Sequence, residues 1–309
     1  MLLRFLRSWS RCLRHAANLI VVLRRRLPGV HSTMAKPKYV AARWIRTAAA
    51  RVLPRVGQIP VETTSPQQLI SFLERLHPLT TELPLIRLGP ADDGGYLVPD
   101  DLADIVACFS PGVSDTSGFE SDCARRGIDV FMADASVQGP AETHDRFHFV
   151  RKYLGGVADD DTMTINTWVD ESLQGRAGDL ILQMDIEGAE YTVLSSASEE
   201  LLLRMRIIIV EFHHLDALFS QRTFALMAPC FEKLLATHAC VHIHPNNCCG
   251  TVTVRDIELP RIAEFTFLRR DRLGTGSYAT QFPHPLDGDN TVKPHLPLPS
   301  SLFGGPRVR

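Results

Sequence analysis

The sequence lacks the glycine-rich motifs that bind phosphate groups. Residues 110–115, which follow the first predicted strand of the alternating region, contain one glycine, Gly112, and no GxGxxG. A GxxxxGK followed by Ser or Thr occurs nowhere in the chain. Such glycines let backbone N–H groups approach a phosphate closely, so a loop without them holds phosphates poorly. Their absence argues against NAD, FAD and nucleoside triphosphates as ligands.

The number and spacing of the cysteines do not fit a disulfide framework or a zinc site. The seven cysteines are odd in number, two of them are adjacent at Cys248 and Cys249, and no CxxC occurs. Because paired frameworks and zinc sites both need regular spacing, we predict a reducing compartment and a cytoplasmic protein.

Acidic residues are missing before Glu62, although thirteen of the 33 basic residues precede that position. Residues 62–309 therefore contain 20 basic and 35 acidic residues, and their formal net charge is about −15. An acidic surface repels phosphate backbones, so we predict that the folded part does not bind nucleic acid.

Arginines and apolar residues lie at helical spacing near the start of the chain. Four arginines fall on one side of residues 4–14, with leucines opposite, which predicts a basic amphipathic helix. The apolar run at residues 16–23 is too short to span a bilayer. Three interpretations stay open: residues 1–26 bind an anionic membrane surface, they are a transit peptide, or translation starts at Met34. We treat residues 1–60 as a basic extension and linker.

From residue 104 onward, strand and helix patterns alternate, which is typical of a parallel sheet covered by helices. A hairpin at residues 85–98 precedes this region. The final two predicted strands, at 240–244 and 262–268, are antiparallel neighbours joined by a long loop. We therefore predict an α/β domain over residues 61–282. The proline-rich residues 283–309 show little periodicity and are predicted to be disordered.

Polar side chains follow three of the predicted strands. The run at residues 179–184 ends in Asp185 and Glu187, and the next strand ends in Glu211 and His213. The strand at 240–244 carries or precedes His242, His244, Asn246 and Asn247. Ligands of open α/β sheets bind beyond the carboxyl ends of the strands, so these residues predict a binding crevice. The alternative is that Asp185 and Glu187 only cap the following helix.

Asp134 ends the second predicted strand of the alternating region. In nucleoside-binding folds a carboxylate at this position hydrogen-bonds the ribose hydroxyls. The alternative interpretation is an Asx-turn that organises the next segment.

The stretch Asp185-Ile186-Glu187-Gly188-Ala189-Glu190 resembles the signature of the FkbM-type methyltransferases, and the order of elements agrees with that family. The resemblance spans roughly residues 84–270. It implies a Rossmann-like, seven-stranded sheet, mostly parallel with an antiparallel final strand, and S-adenosyl-L-methionine as cofactor. The cofactor-binding residues would be Ser110, Gly112, Asp134, Ala135, Ser136 and Asp185. A single Gly112 replaces the usual multi-glycine turn.

The resemblance implies methyl transfer, and we predict O-methylation of a hydroxyl on a small-molecule or glycan acceptor such as a sugar or glycolipid. We assign catalysis to Asp185, Glu211 and His213. The substrate-binding candidates are Glu187, His242, His244, Asn246 and Asn247. The same side chains suit a divalent metal, but we favour a polar sugar pocket and predict no metal. Two other functions stay open: a catalytically silent, membrane-peripheral glycan-binding module, and an NAD-dependent sugar oxidoreductase.

Overall fold

The computed structural model describes residues 61–113 and 116–305. The chain divides into two units, Met1–Pro60 and Val61–Arg309, and all described residues belong to the second. The basic helix and linker predicted for residues 1–60 lie outside the described residues. No helix within the described ranges has both the length and the apolarity needed to cross a membrane.

Helix α1, Pro66–Leu73, is the first helix of the described residues. Ser65 caps it, because its side chain accepts a hydrogen bond from the backbone N–H of Gln68, and proline occupies the first helical position. A 3₁₀ helix, Glu74–Leu76, follows. Strands β1, Leu85–Leu88, and β2, Tyr96–Pro99, then form the predicted antiparallel hairpin.

A seven-stranded sheet forms the centre of the domain. Its strands are β3 (Ile105–Pro111), β4 (Asp129–Ala133), β5 (Phe147–Val150), β8 (Asp179–Met184), β9 (Met205–Phe212), β10 (His238–Pro245) and β13 (Ala263–Arg269). The order across the sheet is β10-β13-β9-β8-β3-β4-β5. Neighbouring strands from β9 to β5 are parallel, and β13 is antiparallel to both β9 and β10. The mixed α/β fold with a mostly parallel sheet is confirmed.

Short strands connect parts of this sheet. They are β6 (Tyr153–Leu154), β7 (Thr162–Met163), β11 (Thr251–Val254) and β12 (Ile257–Pro260). Strands β11 and β12 pair as a hairpin between β10 and β13, so the long loop predicted there is wrong. The alternation of Thr and Val in β11 is compatible with a strand, but it is too short to give a clear signal.

Helices cover both faces of the sheet. They are α2 (Gly118–Arg125), α3 (Ile165–Leu173), α4 (Glu190–Ser196), α5 (Glu199–Arg204) and α6 (Gln221–Thr237), with 3₁₀ turns at Leu215–Phe219 and Arg270–Arg272. One apolar core joins α1, α3, α4 and α6 to one face. A second core joins α2 and the β1–β2 hairpin to the other. All eight residues of β9 are buried, as expected of a central strand covered on both sides.

A network of ion pairs fixes the amino-terminal edge of the sheet. Asp179 of β8 accepts hydrogen bonds from Arg206 Nε at 2.7 Å and from Arg269 Nη1 and Nη2 at 2.7 and 3.0 Å. Arg206 also donates to the carbonyls of Asp101 and Ala103. Burial alone would raise the pKa of Asp179, but the bonds from Arg269 and Arg206 outweigh it and lower that pKa.

The proline-rich segment after Phe282 packs on the domain. Leu298 and Leu302 are 8% and 2% exposed and join the first apolar core. The prediction of disorder is therefore wrong for residues 283–305, and residues 306–309 lie outside the described chain. Proline prevents regular hydrogen bonding here, so the segment has no helix or strand. Its side chains hold it in place, and composition alone does not reveal such contacts.

Candidate active site

Asp185, Glu211 and His213 meet at the carboxyl ends of β8 and β9. These strands are parallel neighbours in which Met184 lies opposite Val210, so the residues that follow them emerge at the same edge. One ligand-type atom from each of the three side chains lies within 4.8 Å of the other two. The structure thus brings together the three residues to which the sequence assigned catalysis.

The ring of His213 is held by Glu190, a residue that we did not assign to the site. Glu190 is completely buried at the start of α4. Its Oε1 lies 3.0 Å from His213 Nδ1 and also accepts the backbone N–H groups of Ile186 and Gly188. Tyr191 donates its hydroxyl to the His213 carbonyl at 2.7 Å. Because Glu190 acts as an acceptor, Nδ1 is the donor, and Nε2 is directed towards the carboxylates.

Glu187 is the exposed member of the group. Its backbone is in the left-handed region, with φ at 56°, and its side chain is 87% exposed. Its Oε2 nevertheless lies 3.3 Å from His213 Nε2. Glu187 is therefore positioned at the mouth of the cluster, between His213 and solvent.

Burial and mutual repulsion raise the pKa values of the carboxyl groups. Burial raises the pKa of Asp185 to about 7; His213 opposes this shift, while Glu187 and Glu190 add to it. Burial also raises the pKa of Glu211, with Asp185 and Glu264 contributing. For His213, burial lowers the pKa, but Glu190 and the other carboxylates together outweigh it and raise the pKa. The cluster can thus take up or release a proton near neutral pH.

A second layer of polar groups surrounds Glu211. Asn246 Nδ2 donates to Glu211 Oε1 at 3.0 Å. Glu264 of β13 lies directly opposite Glu211 in the strand pairing. Asn290 Nδ2 donates to Glu264 Oε1 at 2.7 Å and to Asp93 Oδ1 at 3.1 Å. Of these residues the sequence analysis identified only Asn246. The sequence does carry a signal for Glu264, because it is the only carboxylate in a largely apolar strand.

The polar residues of β10 mainly hold the C-terminal segment. His242 Nε2 lies 2.8 Å from Asp287 Oδ1, and His244 Nδ1 lies 3.7 Å from Asp287 Oδ2. Asn247, just after the strand, donates to the carbonyls of Thr291 and Lys293. These contacts give His242 and Asn247 a structural role, and their substrate-binding role stays a prediction. The sequence could not show this because the partners lie about 45 residues away in a segment predicted to be disordered.

Gly112 lies in close contact with the backbone of Asp185. Its φ is 86°, and a Cβ atom added to it would lie 1.6 Å from the Asp185 carbonyl oxygen. The N–H of Gly112 donates to the Ala133 carbonyl at 3.0 Å. The turns after β3, β4 and β8 thus interlock at one edge, and only glycine fits this approach.

Asp134 organises the turn after β4. Its Oδ2 accepts the N–H of Val113 at 3.1 Å, and its Oδ1 accepts both the N–H and the hydroxyl of Ser136. Ala135 is partly exposed and Ser136 is exposed. The turn geometry of the alternative interpretation is present. This geometry does not test cofactor contact, so ribose binding by Asp134 stays a prediction.

Ser110 lies too deep to contact a ligand directly. It is 0% exposed, and its hydroxyl lies between the carboxyl oxygen of Glu120 and the amide oxygen of Gln183. Alternation along β3 places this side chain inside the sheet, under α2, rather than at its edge. The direct cofactor contact predicted for Ser110 does not agree with this position.

A separate cavity of about 400 Å³ lies beside the edge strand β5. Its lining includes Phe131, His148 and Trp168, and the rings of Phe131 and His148 stack 4.7 Å apart. None of the predicted site residues lines this cavity. It is therefore distinct from the cluster at Asp185.

Comparison with family models supports a methyltransferase. Residues 123–235 match the methyltransferase FkbM domain. The match covers 113 of the 309 residues. The match runs from α2 to α6 and contains Asp134, Asp185, Glu211 and His213. The resemblance noted in the sequence is thereby confirmed for residues 123–235, and β3, β10 and β13 lie outside the matched segment.

Likeness to solved structures is weak. A prophage-encoded protein assigned as a DNA modification methyltransferase (E. coli) is 12% identical, with a TM-score of 0.34; the match covers 54% of this chain and 47% of that one. An rRNA methylase from Streptococcus thermophilus is 10% identical, with a TM-score of 0.30, over 67% of this chain and 97% of that one. The chain thus spans about half the length of the first. Among curated proteins, none matches the sequence significantly.

Proposed function

We propose that this chain is an S-adenosylmethionine-dependent O-methyltransferase of the Rossmann-like class, acting on a hydroxyl of a sugar or glycolipid. The cluster of Asp185, Glu211 and His213 supports this proposal most directly. It lies at the carboxyl edge of the sheet, inside the segment that matches the FkbM domain. Groups that move a proton are needed when the acceptor is an alcohol.

The turns after β3, β4 and β8 offer a donor and acceptor set that fits the cofactor. Asp134 ends β4 and accepts hydrogen bonds from Val113 and Ser136, and a carboxylate at this position of a nucleoside-binding fold hydrogen-bonds ribose hydroxyls. Ala135 and Ser136 are accessible beside it. The acidic edge at Asp185 favours a positively charged sulfonium. When bound, S-adenosylmethionine supplies the methyl group that the acceptor oxygen takes.

The cluster's task is to hold the acceptor hydroxyl and receive its proton. Asp185 is suited to this because a general base works best when its pKa is near the operating pH, and the pKa of Asp185 is about 7. His213 Nε2 is the second candidate, since Glu190 fixes the orientation of the ring. The exposed Glu187 lies 3.3 Å from His213 Nε2, between the cluster and solvent.

The surroundings of Glu211 favour an uncharged acceptor rich in hydroxyl groups. Asn246, Asn290 and the carboxylates of Glu264 and Asp93 provide both donors and acceptors. The same carboxylates repel phosphate and carboxylate groups. This combination supports a sugar hydroxyl over an anionic acceptor. A silent glycan-binding module of the same fold remains the rival and predicts binding without transfer.

The experiment is methyl transfer from radiolabelled S-adenosylmethionine by the full chain to a panel of sugars and glycolipids. With a positive acceptor, we expect Asp185→Asn and His213→Gln each to lower turnover by about 10²- to 10⁴-fold. The matched control is His238→Gln, which changes a buried histidine at the opposite edge of the sheet. Calorimetry with S-adenosylhomocysteine provides the binding measurement. Binding of glycans with no transfer to any of them would favour the silent module.

A further inference from the structure

We infer that Asp185, Glu211 and His213 form a binding site for a divalent cation of the Mn²⁺ type. The inference rests on the proposed function; with an ion bound, His213 Nε2 is a ligand and no longer a candidate base, and the ion supplies the means of activating the hydroxyl. Cation binding itself can be measured without cofactor or acceptor. The sequence analysis favoured a polar sugar pocket over a metal site at these residues. The distances between the side chains favour the metal site.

The distances between the three side chains match those between ligands of one ion. His213 Nε2 lies 3.9 Å from Asp185 Oδ1 and 4.0 Å from Glu211 Oε1. At a metal–ligand distance of ~2.1 Å, octahedral ligands are about 3.0 Å apart when adjacent and about 4.2 Å apart when opposite. Both separations fall within this interval; because Nε2 can be opposite only one of the two oxygens, binding an ion draws the other side chain closer by about 1 Å.

Asp185 presents an oxygen that lacks a partner. Its Oδ1 is buried and accepts no hydrogen bond from any described residue. A buried carboxylate oxygen without a donor is destabilising. Glu211 is 5% exposed at its side chain and lies beside the same position. A cation between them would supply the missing partner and cancel their mutual repulsion.

The orientation of His213 is that of a metal ligand. Its side chain is 7% exposed, and Nδ1 is bound to Glu190, so Nε2 offers its lone pair to the cluster. A carboxylate on the other ring nitrogen is the usual outer partner of a metal-bound histidine. Asn246 plays the same part for Glu211, because it binds Oε1 and fixes the carboxylate plane. Both outer partners are therefore already present.

The mixture of ligands indicates the type of ion. Two carboxylates suit Mg²⁺, Ca²⁺ and Mn²⁺, whereas imidazole suits transition metals, and Mn²⁺ accepts both. The partly exposed side of Asp185 and the exposed Glu187 leave room for water or an acceptor hydroxyl to complete the coordination. A cation at this position would orient such a hydroxyl and make its proton easier to remove.

The test is titration of the chelator-treated full chain with Mn²⁺, following the electron paramagnetic resonance signal of the free ion. We expect one bound ion per chain. The Mn²⁺ affinity of Glu211→Gln should be lower than that of the wild type by at least about 10- to 100-fold. Glu120→Gln is the matched control, because Glu120 is an equally buried carboxylic acid bonded to Ser110 and outside the cluster. It should bind Mn²⁺ as the wild type does.

A measurement on the wild-type protein covers the case in which a variant fails to fold. Electron spin-echo modulation of the bound Mn²⁺ should show coupling to an imidazole ¹⁴N, because His213 is the expected nitrogen ligand. No binding at millimolar Mn²⁺, no nitrogen coupling, or equal affinity in Glu211→Gln would each overturn the inference. Methyl transfer that persists after chelation would overturn the cation's role but leave the proposed function intact. Cation binding without transfer to any acceptor would count against the proposed function alone.

Discussion

Replacing Gly112 with alanine tests the interlocked turns at the edge of the sheet. Gly112 has φ of 86°, and its added Cβ would lie 1.6 Å from the carbonyl oxygen of Asp185. Gly127 provides a matched control, because its φ is 83° and nothing lies within 4 Å of its added Cβ. Both substitutions impose the same unfavourable backbone conformation. Only the first imposes a steric clash.

The difference between the two variants can be estimated. The left-handed conformation costs alanine about 1–2 kcal/mol relative to glycine. Real Cβ contacts of this kind are not shorter than 3.0 Å, so the Gly112 variant must separate two backbone segments by at least ~1.4 Å. Forcing such a shift in a packed site adds about 1–3 kcal/mol or more. We therefore expect a loss of about 1–2 kcal/mol for Gly127→Ala and about 2–5 kcal/mol for Gly112→Ala.

Urea denaturation of both variants measures these losses, and calorimetry with S-adenosylhomocysteine measures the effect on the site. A displacement of about 1 Å at a site can cost 10²-fold in activity. We expect Gly112→Ala to lose binding or turnover to about this extent, and Gly127→Ala to retain both. Equal stability of the two variants would show that the contact between Gly112 and Asp185 does not constrain the fold.

Three further predictions concern other parts of the chain. Asp179→Asn should lower the free energy of unfolding by about 1–3 kcal/mol, because Arg206 loses one charged partner but keeps its other acceptors. The pKa of Asp179 is lowered in the folded state. Its contribution is therefore complete above about pH 4 and lost as the pH falls, so the variant and wild-type stability curves should converge in acid. Asp134→Asn should weaken S-adenosylhomocysteine binding by about 10- to 100-fold in calorimetry; unchanged affinity would remove Asp134 from the site. We propose that residues 1–26 bind anionic lipid, so the full chain should float with anionic liposomes and a chain beginning at Pro60 should not.

The elements of the sheet could be predicted because local sequence determines them. Between Asp179 and Asp185, β8 is apolar except at Gln183, and β9 contains the apolar run at residues 207–210, which Glu211 follows. In parallel strands such runs mark full burial, and the first polar residues mark the carboxyl edge. Asp185 and His213 lie close together because β8 and β9 are neighbours in the sheet. The family resemblance, and not the local sequence, predicted that these strands are adjacent.

The outer layer of the site could not be predicted, since it depends on contacts between distant residues. Asn290 reaches Asp93 across 197 positions, and nothing in the local pattern around either residue indicates this. The irregular pairing between Cys240 and His242 changes which side chains of β10 face the site. A single bulge of this kind reverses the faces derived from alternation.

The assignment of Glu190 shows how a correct motif can still give an incomplete site. In the sequence, Glu190 stands in the family signature. Carboxylates near the start of a helix indicate only a favourable interaction with the helix dipole. The complete burial of Glu190 beneath His213 changes that interpretation. A carboxylate at 0% exposure is costly unless donors surround it, and Glu190 has the N–H groups of Ile186 and Gly188 together with the His213 ring. The sharp turn after Asp185, with left-handed backbone at Glu187 and Gly188, is what directs those N–H groups towards it. The signature therefore specifies the support of the histidine as well as the carboxylates that face the crevice.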